Sequence, residues 1–344
     1  MNLPHFIESE GQLDELLTAP STALVEVMRS LADPLVILGA GGKMGPSLAL
    51  LACRAAQQAQ SQIRIIAVSR FSDPDSRLEL EKGGVETHSA DVLNRDQLQA
   101  LPDSANVVYL VGMKFGTSND PVPTWATNTV APVHVCERFA GSKIVALSTG
   151  NVYPLVPIEA EGSRESDPLT PLGEYPNAAV ARERIFQYYA SRHATPTVLM
   201  RLNYAHDLRY GVLTELAGKI WRDEPIDLTM GYFNAIWQGD ANEMILRSFA
   251  HCQVPAELIN LTSPECYSVR TVAEQLGKLM ERQPKFVGSE APTALLSNTE
   301  RMQEKFGKPQ VGLQQMLEWI AHWTVNDGTT LNKPTHFATR DGKY

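Results

Sequence analysis

The fold of this chain is decided at residues 35–45, which read LVILGAGGKMG. Four apolar residues in a row predict a strand that is buried on both faces, and glycines follow it at once. Gly39, Gly42 and Gly45 have the spacing GxxGxxG, and Pro46 then opens an apolar helix. Such a turn presents unpaired backbone N–H groups to an anion. An ordinary glycine-rich turn is the alternative, but strand, glycines and helix in register favour a dinucleotide site.

Composition narrows the class of protein. A chain of 344 residues can form one large domain or two modest ones. Its formal net charge of −9 argues against nucleic acid as the main partner, because phosphate binding requires a basic face. No apolar run is long enough to cross a membrane, and the N-terminus lacks the pattern of a secretory signal. Four scattered cysteines have no metal-ligand spacing and indicate reduced thiols of a cytoplasmic protein without a metal site: Cys53, Cys136, Cys252 and Cys266.

Strand and helix patterns alternate from residue 35 to residue 203. We therefore predict an α/β fold, a Rossmann-type doubly wound parallel sheet with a smaller, mostly C-terminal substrate-binding region. The predicted strands are residues 35–38, 63–68, 85–88, 107–112, 144–149 and 197–202, with possible returns at 236–237 and 258–261. The predicted divisions are an N-terminal helical extension (1–33), the NAD(P)-binding domain (34–203, with returns near 236–262), the substrate-binding region (204–235 and 263–325) and a C-terminal tail (326–344).

The end of the second strand bears on the choice of cofactor. In a Rossmann unit an acidic residue at this point holds the ribose hydroxyls of NAD, whereas a nearby arginine accommodates the 2′-phosphate of NADP. The chain has Ser69 and Arg70 here, and Lys43 adds a second cation in the glycine loop. The cofactor is therefore predicted to be NAD(P), with NADP favoured. The alternative is that both cations are solvated surface charges.

Further motifs follow in order. Asp91-Val92 follows the third strand, residues 110–112 (Leu-Val-Gly) end the fourth, Asn128 lies in the next helix, and residues 148–153 (STGNVY) follow the fifth. Together with the glycine loop they resemble the extended short-chain dehydrogenase/reductase family, the NAD(P)-dependent nucleotide-sugar epimerases and dehydratases, over residues 35–323. The resemblance implies that Thr149 is catalytic. The predicted cofactor contacts are Gly39, Gly42, Lys43, Met44, Ser69, Arg70, Asp91, Val92, Val111, Gly112, Asn128, Leu147, Tyr175 and Asn203.

The chain departs from this family at the catalytic signature YxxxK. Tyr175 is present and is predicted to be catalytic, but Ala179 stands where the family has lysine. In the family, that ammonium group lowers the tyrosine pKa, by roughly 1–3 units for a close cation. Arg182 is a poor substitute because it lies two helical turns from Tyr175. Lys114, in the loop after the fourth strand, is a candidate from the opposite wall.

Two functions remain open at this stage. The first is an NAD(P)-dependent oxidoreductase or epimerase acting on a sugar or sugar-derived hydroxyl or carbonyl, in which Tyr175 moves the proton and Thr149 polarises the oxygen. The second is a non-catalytic NAD(P)-binding sensor or interaction protein, since fold alone does not imply activity. The resemblance also implies a homodimer through the helices near 125–139 and 175–191. Candidate substrate contacts in the variable region are His206, Arg209, Tyr210, Lys219, Trp221 and Arg222.

Overall fold

The computed structural model describes residues 3–117 and 119–343. Within them the strands, in chain order, are β1 (Leu35–Leu38), β2 (Ile65–Ser69), β3 (Glu86–Ser89), β4 (Asn106–Tyr109), β5 (Lys143–Thr149), β6 (Val156–Pro157), β7 (Thr197–Leu202), β8 (Ala205–His206), β9 (Pro225–Asp227), β10 (Tyr232–Phe233), β11 (Ile236–Trp237), β12 (Glu257–Leu261), β13 (Tyr267–Ser268), β14 (Lys285–Val287) and β15 (Thr293–Ala294).

The α-helices in the same residues are α1 (Glu10–Leu17), α2 (Thr22–Ser30), α3 (Gly45–Gln58), α4 (Pro74–Lys82), α5 (Arg95–Gln99), α6 (Pro121–Trp125), α7 (Ala131–Arg138), α8 (Glu174–His193), α9 (Val212–Trp221), α10 (Gln238–Arg247), α11 (Val269–Leu279), α12 (Glu300–Phe306) and α13 (Leu313–Val325). A π-helical turn, Ala126–Val130, joins α6 to α7. Short 3₁₀ turns occupy Gly150–Val152 and Ser248–His251. No helix in the described part of the chain is long and apolar enough to cross a membrane.

Seven strands form the central sheet, in the order β12-β7-β5-β4-β1-β2-β3. Every neighbouring pair in it is parallel, so the carboxyl ends of the strands share one edge. The predicted Rossmann-type α/β fold is therefore confirmed. Of the two possible returns, Glu257–Leu261 joins the sheet beside β7. Ile236–Trp237 instead pairs with Ala205–His206 in a separate two-stranded sheet, since the chain leaves the main sheet after β7.

Strand β1 shows why the sheet is covered on both faces. All four of its residues are buried, and successive side chains point to opposite faces. Leu35 and Ile37 belong to a core that includes apolar residues of α2, α3 and α10, whereas Val36 and Leu38 belong to a core with residues of α5, α7 and α8. The continuous apolar run at 35–38 is therefore the expected signature of a doubly covered parallel strand.

The C-terminal region has a core of its own. It is formed by apolar residues of α9, α11 and α13, and helix α1 of the N-terminal extension packs into it through Leu13 and Leu17. The predicted tail contains neither helix nor strand in residues 328–343. It is nevertheless packed on the protein, because Phe337 is 2% exposed and belongs to this second core.

Candidate active site

The carboxyl-terminal edge of the sheet bears a large cavity of about 620 Å³. In a doubly wound sheet this edge is where ligands bind. The cavity is lined by residues that end β1, β2 and β4 and by the loop after β3. Eight predicted cofactor contacts line it: Gly39, Gly42, Ser69, Arg70, Asp91, Val92, Val111 and Gly112.

The shape of the glycine loop fits a dinucleotide. Gly39 has a φ of +85°, a backbone conformation that favours glycine. A Cβ at Gly41 would lie 2.6 Å from the Ser69 hydroxyl oxygen, so a side chain there would intrude into the cavity wall. A Cβ at Gly45 would lie 2.2 Å from the carbonyl oxygen of Ala40, so only glycine lets α3 begin so close to the strand. These are the features with which such a loop admits a pyrophosphate at a helix N-terminus.

A second, smaller pocket of about 310 Å³ adjoins the large one, since Gly39, Gly42 and Leu110 line both. The two predicted catalytic residues, Thr149 and Tyr175, line this smaller pocket. We call it the substrate pocket. Its other polar or predicted residues are Lys43, Met44, Lys114, Leu147, Ser148, Tyr204, Tyr210 and Thr335.

Thr149 and Tyr175 come from two adjoining elements. Thr149 ends β5, and its Oγ1 accepts a hydrogen bond from the N–H of Asn151 at 3.2 Å. Because a hydroxyl can accept and donate at once, Thr149 can still donate to a substrate oxygen. Tyr175 lies in the first turn of α8, which follows Gly173, a residue with a φ of +94°. The turn at Gly173 therefore brings the tyrosine to the same edge of the sheet.

The position of the missing lysine is closed by apolar side chains. Ala179 is fully buried and packs in a cluster with Val152 and Tyr153, with Leu169 and Val180 at its margin. The residue one turn after Tyr175 is therefore part of a small core.

Lys43 lies elsewhere than predicted. Its Nζ donates to the carbonyl oxygen of Ala205 at 3.3 Å and lies 3.8 Å from the centre of the Tyr210 ring. Lys43 thus lines the substrate pocket and does not line the large cavity that Arg70 lines. Lys43 is an exposed residue, and desolvation by the nearby protein lowers the pKa of its ammonium group to about 8.

Lys114 is the second cation of the substrate pocket. It lies in the loop after β4 and lines the pocket that also contains Tyr175 and Thr149. Burial lowers the pKa of Lys114 to about 8. No carboxylate is among the described residues that line this pocket. Its electrostatic character is therefore positive.

Asn128 and Arg182 fix the start of that loop. Arg182 Nη1 donates to Asn128 Oδ1 at 2.8 Å and to the carbonyl oxygen of Val111 at 3.3 Å. Asn128 Nδ2 in turn donates to the carbonyl oxygen of Met113 at 3.1 Å. Asn128 was predicted to contact the cofactor, but it lines neither cavity. It is fully buried and holds the backbone just before Lys114.

A buried ion pair joins β7 to α8, the helix of Tyr175, and sequence reasoning missed it. Arg201 of β7 and Glu183 of α8 are at most 1% exposed and form a salt bridge of 2.7 Å. Ser148 also donates to Glu183, and Arg201 donates to the Tyr153 hydroxyl at 2.6 Å. Although burial opposes it, the hydrogen bonds with Glu183 hold the pKa of Arg201 above its usual value. The network ties α8 to the central strands.

Several other predicted residues lie outside the pockets. Asn203 lines neither cavity, and its Nδ2 donates to the carbonyl oxygen of Leu295 at 3.3 Å. Among the candidate substrate residues of the variable region, Tyr210 lines the substrate pocket. The others are engaged elsewhere: His206 is fully buried, Arg209 pairs with Asp14, Lys219 with Glu215 and Arg222 with Glu224, and Trp221 lies under Arg282.

Comparison with solved structures supports the fold. The chain is similar to a UDP-glucose 4-epimerase of Thermotoga maritima solved with UDP-glucose (TM-score 0.70, 14% identity, 85% of this chain and 98% of that chain covered). It is also similar to the dTDP-glucose 4,6-dehydratase of Bacillus anthracis in complex with NAD (TM-score 0.71, 16% identity, 85% and 96% covered). A third similar structure is a UDP-glucose 4-epimerase of Thermus thermophilus in complex with NAD (TM-score 0.69, 15% identity, 86% and 99% covered).

The sequence itself carries a family signal in its first half. A comparison of the whole sequence with curated proteins found no match. Residues 35–205, which contain the glycine loop, Thr149 and Tyr175, match the NAD dependent epimerase/dehydratase family. Residues 35–205 of the chain therefore belong to the NAD dependent epimerase/dehydratase family.

Proposed function

We propose that the protein is an NAD(P)-dependent oxidoreductase or epimerase that acts on a hydroxyl or carbonyl group of a sugar-derived substrate. The observation that carries this proposal is that Thr149 and Tyr175 line one pocket together with Gly39 and Gly42, which also line the large cavity. A reacting carbon in that pocket would lie between the acid–base pair and a dinucleotide. The sugar-related names of the structural neighbours and the family match support the substrate class.

The residues of this chain have distinct roles in the proposed reaction. When bound, the nicotinamide supplies the acceptor or donor of a hydride. Gly39, Gly42 and the start of α3 would hold its pyrophosphate. Tyr175 takes the hydroxyl proton when an alcohol is oxidised and returns a proton when a carbonyl is reduced. Thr149 donates a hydrogen bond to the reacting oxygen in either direction.

Lys114 is proposed to supply the positive charge that Ala179 lacks. Both Lys114 and Tyr175 line the substrate pocket, and Arg182 and Asn128 fix the backbone before the lysine. A cation close to a phenol stabilises the phenolate and lowers the tyrosine pKa. Oxidation requires that phenolate, whereas reduction can start from the neutral tyrosine. With Lys114 charged, the arrangement should therefore support oxidation of an alcohol at a lower pH than Tyr175 could without a cation.

NADP is the proposed form of the cofactor. Ser69 and Arg70 line the large cavity after β2, where an acidic residue would bind the ribose hydroxyls of NAD. The proposal now rests on Arg70 alone, because Lys43 lies in the substrate pocket.

We also propose a homodimer. Helices α6 and α8 and the π-helical turn between α6 and α7 expose large apolar side chains: Val122, Trp125, Val130 and Tyr188. Exposed apolar surface of this kind is typical of an interface between proteins.

A non-catalytic NAD(P)-binding protein is the second candidate, and the buried Ala179 favours it. The two are separated by following the absorbance of the reduced nicotinamide with a panel of sugars and sugar acids. An enzyme of the proposed type turns the cofactor over, and Tyr175→Phe reduces the rate by roughly 10²–10⁴-fold, the usual contribution of a general acid–base. A protein that binds the cofactor tightly and turns over no member of the panel is a sensor.

A further inference from the structure

The C-terminal tail forms one wall of the substrate pocket. Thr335 lines the pocket together with Tyr175, 160 positions earlier in the chain. The ring of His336 lies 5.5 Å from that of Phe115, in the loop that also carries Lys114. The tail thus contacts the loop after β4, on the wall of the pocket that supplies the proposed catalytic cation.

Hydrogen bonds hold the tail in this place. Thr335 donates from its N–H and its Oγ1 to Oε2 of Glu215, at 3.0 and 2.6 Å. Tyr210 donates from its hydroxyl to the carbonyl oxygen of Pro334 at 3.3 Å. Phe337 is buried in the second core, where its ring lies 6.4 Å from that of Phe233. The tail is therefore anchored by side chains on both sides of the residue that lines the pocket.

The tail is also fixed beyond the pocket. Arg340 donates to the carbonyl oxygen and to the hydroxyl of Thr293, at 2.6 Å each. Gly342 lies against Gly173, where a Cβ would come within 2.1 Å of the Gly342 carbonyl oxygen. The tail therefore extends as far as the residue that precedes α8, the helix of Tyr175.

The pocket that results is small. It measures about 310 Å³, whereas the adjoining cavity for a dinucleotide measures about 620 Å³. A nucleotide sugar contains a nucleoside, two phosphates and a second sugar, so it lacks only one base of a dinucleotide. It needs a cavity nearer in size to the larger one. A substrate of about one monosaccharide matches the smaller one, which is at the lower end of the usual range of ligand pockets.

The polar groups of the pocket indicate charge on the substrate. Lys43 and Lys114 line it, no carboxylate does so among the described residues, and hydroxyls of Thr149, Tyr204 and Tyr210 surround the same space. Two ammonium groups favour an anion, and the hydroxyls can bind the oxygens of a polyol. We propose that the substrate is a monosaccharide-sized acid, with one carboxylate or phosphate bound by Lys43 and Lys114, and that residues 331–337 exclude nucleotide sugars. This proposal rests on the function proposed above, because it places the reacting carbon beside Tyr175.

The test is equilibrium binding to the full-length protein saturated with oxidised cofactor, measured by calorimetry alongside turnover. The probes are glucuronate, gluconate, glucose 6-phosphate, glucose, UDP-glucose and UDP-glucuronate. We expect at least one of the three small acids to bind. Glucose and both UDP-sugars should bind at least 10-fold more weakly than that acid. Binding of a carboxylate or of a phosphate alone identifies which anion the lysines select. Tighter binding of a UDP-sugar, or no binding of any small acid, overturns the proposal.

Two variants test the residues. Lys43→Met should weaken the binding of the small acid at least 10-fold and leave the binding of glucose unchanged. Lys278→Met is the matched control, because this lysine is exposed on α11 and does not line the pocket. Replacing Thr335 by glycine, together with Phe337→Ala, should loosen the tail and improve the binding of UDP-glucose. If the double variant does not fold, Lys43→Met still decides the matter, and an equal loss for glucose and for the acid overturns the charge assignment.

Turnover separates this proposal from the proposed function. A small acid that binds without turnover supports the pocket assignment and contradicts the enzyme. Turnover of UDP-sugars alone supports the enzyme and contradicts the pocket assignment.

Discussion

Arg182 donates a 2.8 Å hydrogen bond to Asn128. Arg182 lies three residues after Ala179, the position at which the family has its lysine. Arg182 and Asn128 hold the backbone of Val111 and Met113, which leads into Lys114. The cation of helix α8 therefore does not replace the missing lysine at Tyr175. Arg182 instead positions the loop that carries Lys114, which lines the same pocket as Tyr175.

Arg182→Met should lower both stability and turnover. The change leaves the buried Asn128 oxygen without its charged partner, which costs about 1–3 kcal/mol of the free energy of unfolding. Turnover should fall more than affinity for the cofactor, because the loop with Lys114 loosens. Urea denaturation and the separate kcat and KM values measure the two effects. Arg184→Met is the control on the same helix, since Arg184 is exposed. Equal behaviour of the two variants would contradict the positioning role.

Ala179→Lys should not restore the family's site. Ala179 is fully buried against Val152 and Tyr153, so the longer side chain overpacks the cluster, at a cost of about 1–3 kcal/mol before any cost of burying its charge. The midpoint of urea denaturation checks this, with Ser191→Lys at an exposed position of the same helix as the control. A stable Ala179→Lys protein whose oxidation rate rises at lower pH would show that the site still accepts its lysine.

Arg70→Ser should weaken the binding of NADP and leave the binding of NAD nearly unchanged. The guanidinium is the cation proposed for the 2′-phosphate, and NAD has no such group. Calorimetric titration with both cofactors measures the ratio of affinities, which should shift toward NAD by about tenfold or more, as for the loss of a charged hydrogen bond of about 1.5–3 kcal/mol. Lys82→Ser, a cation of α4 that does not line the cavity, is the control. Equal affinities in the wild type would mean that Arg70 points to solvent.

The proposed dimer should depend on the exposed apolar side chains of α6 and α8. Tyr188 is 62% exposed and Val122 72% exposed, and a charge at an apolar interface is costly. Light scattering at micromolar concentration should give twice the chain mass for the wild type and the single mass for Tyr188→Glu combined with Val122→Glu. Leu279→Glu, at an exposed apolar position of α11, should leave the mass unchanged. A wild-type monomer would remove the proposal.

The elements that the sequence predicted well are those with a local pattern. The run 35–38 and the glycines after it specify a strand, a turn and a helix through neighbouring residues, and the structure has β1 at Leu35–Leu38 with α3 starting at Gly45. The directions of side chains were harder to predict from the sequence. Lys43 was assigned to the adenosine end, because its position next to the glycines does not show that its ammonium turns toward Tyr210.

Contacts between distant parts of the chain could not be predicted. Residues 326–344 were predicted only as a C-terminal tail. Its place over the pocket depends on Glu215, 120 positions before Thr335, and on one buried ring, Phe337. The pair of Arg201 and Glu183 was missed for the same reason, since charged residues are usually exposed.

Tyr175 is proposed to move the proton, and Lys114 is proposed to support the charge that forms on it. The most direct measurement is the pH–rate profile of oxidation and of reduction, with an accepted substrate, for the wild type, Tyr175→Phe and Lys114→Met. Burial lowers the pKa of Lys114 to about 8, so its positive charge is present below that pH and is lost above it. Lys114→Met should therefore slow oxidation most below pH 8 and move its rise to higher pH, while reduction changes less. Tyr175→Phe should abolish most activity in both directions. Unchanged turnover in Tyr175→Phe would show that another group moves the proton and would contradict the account.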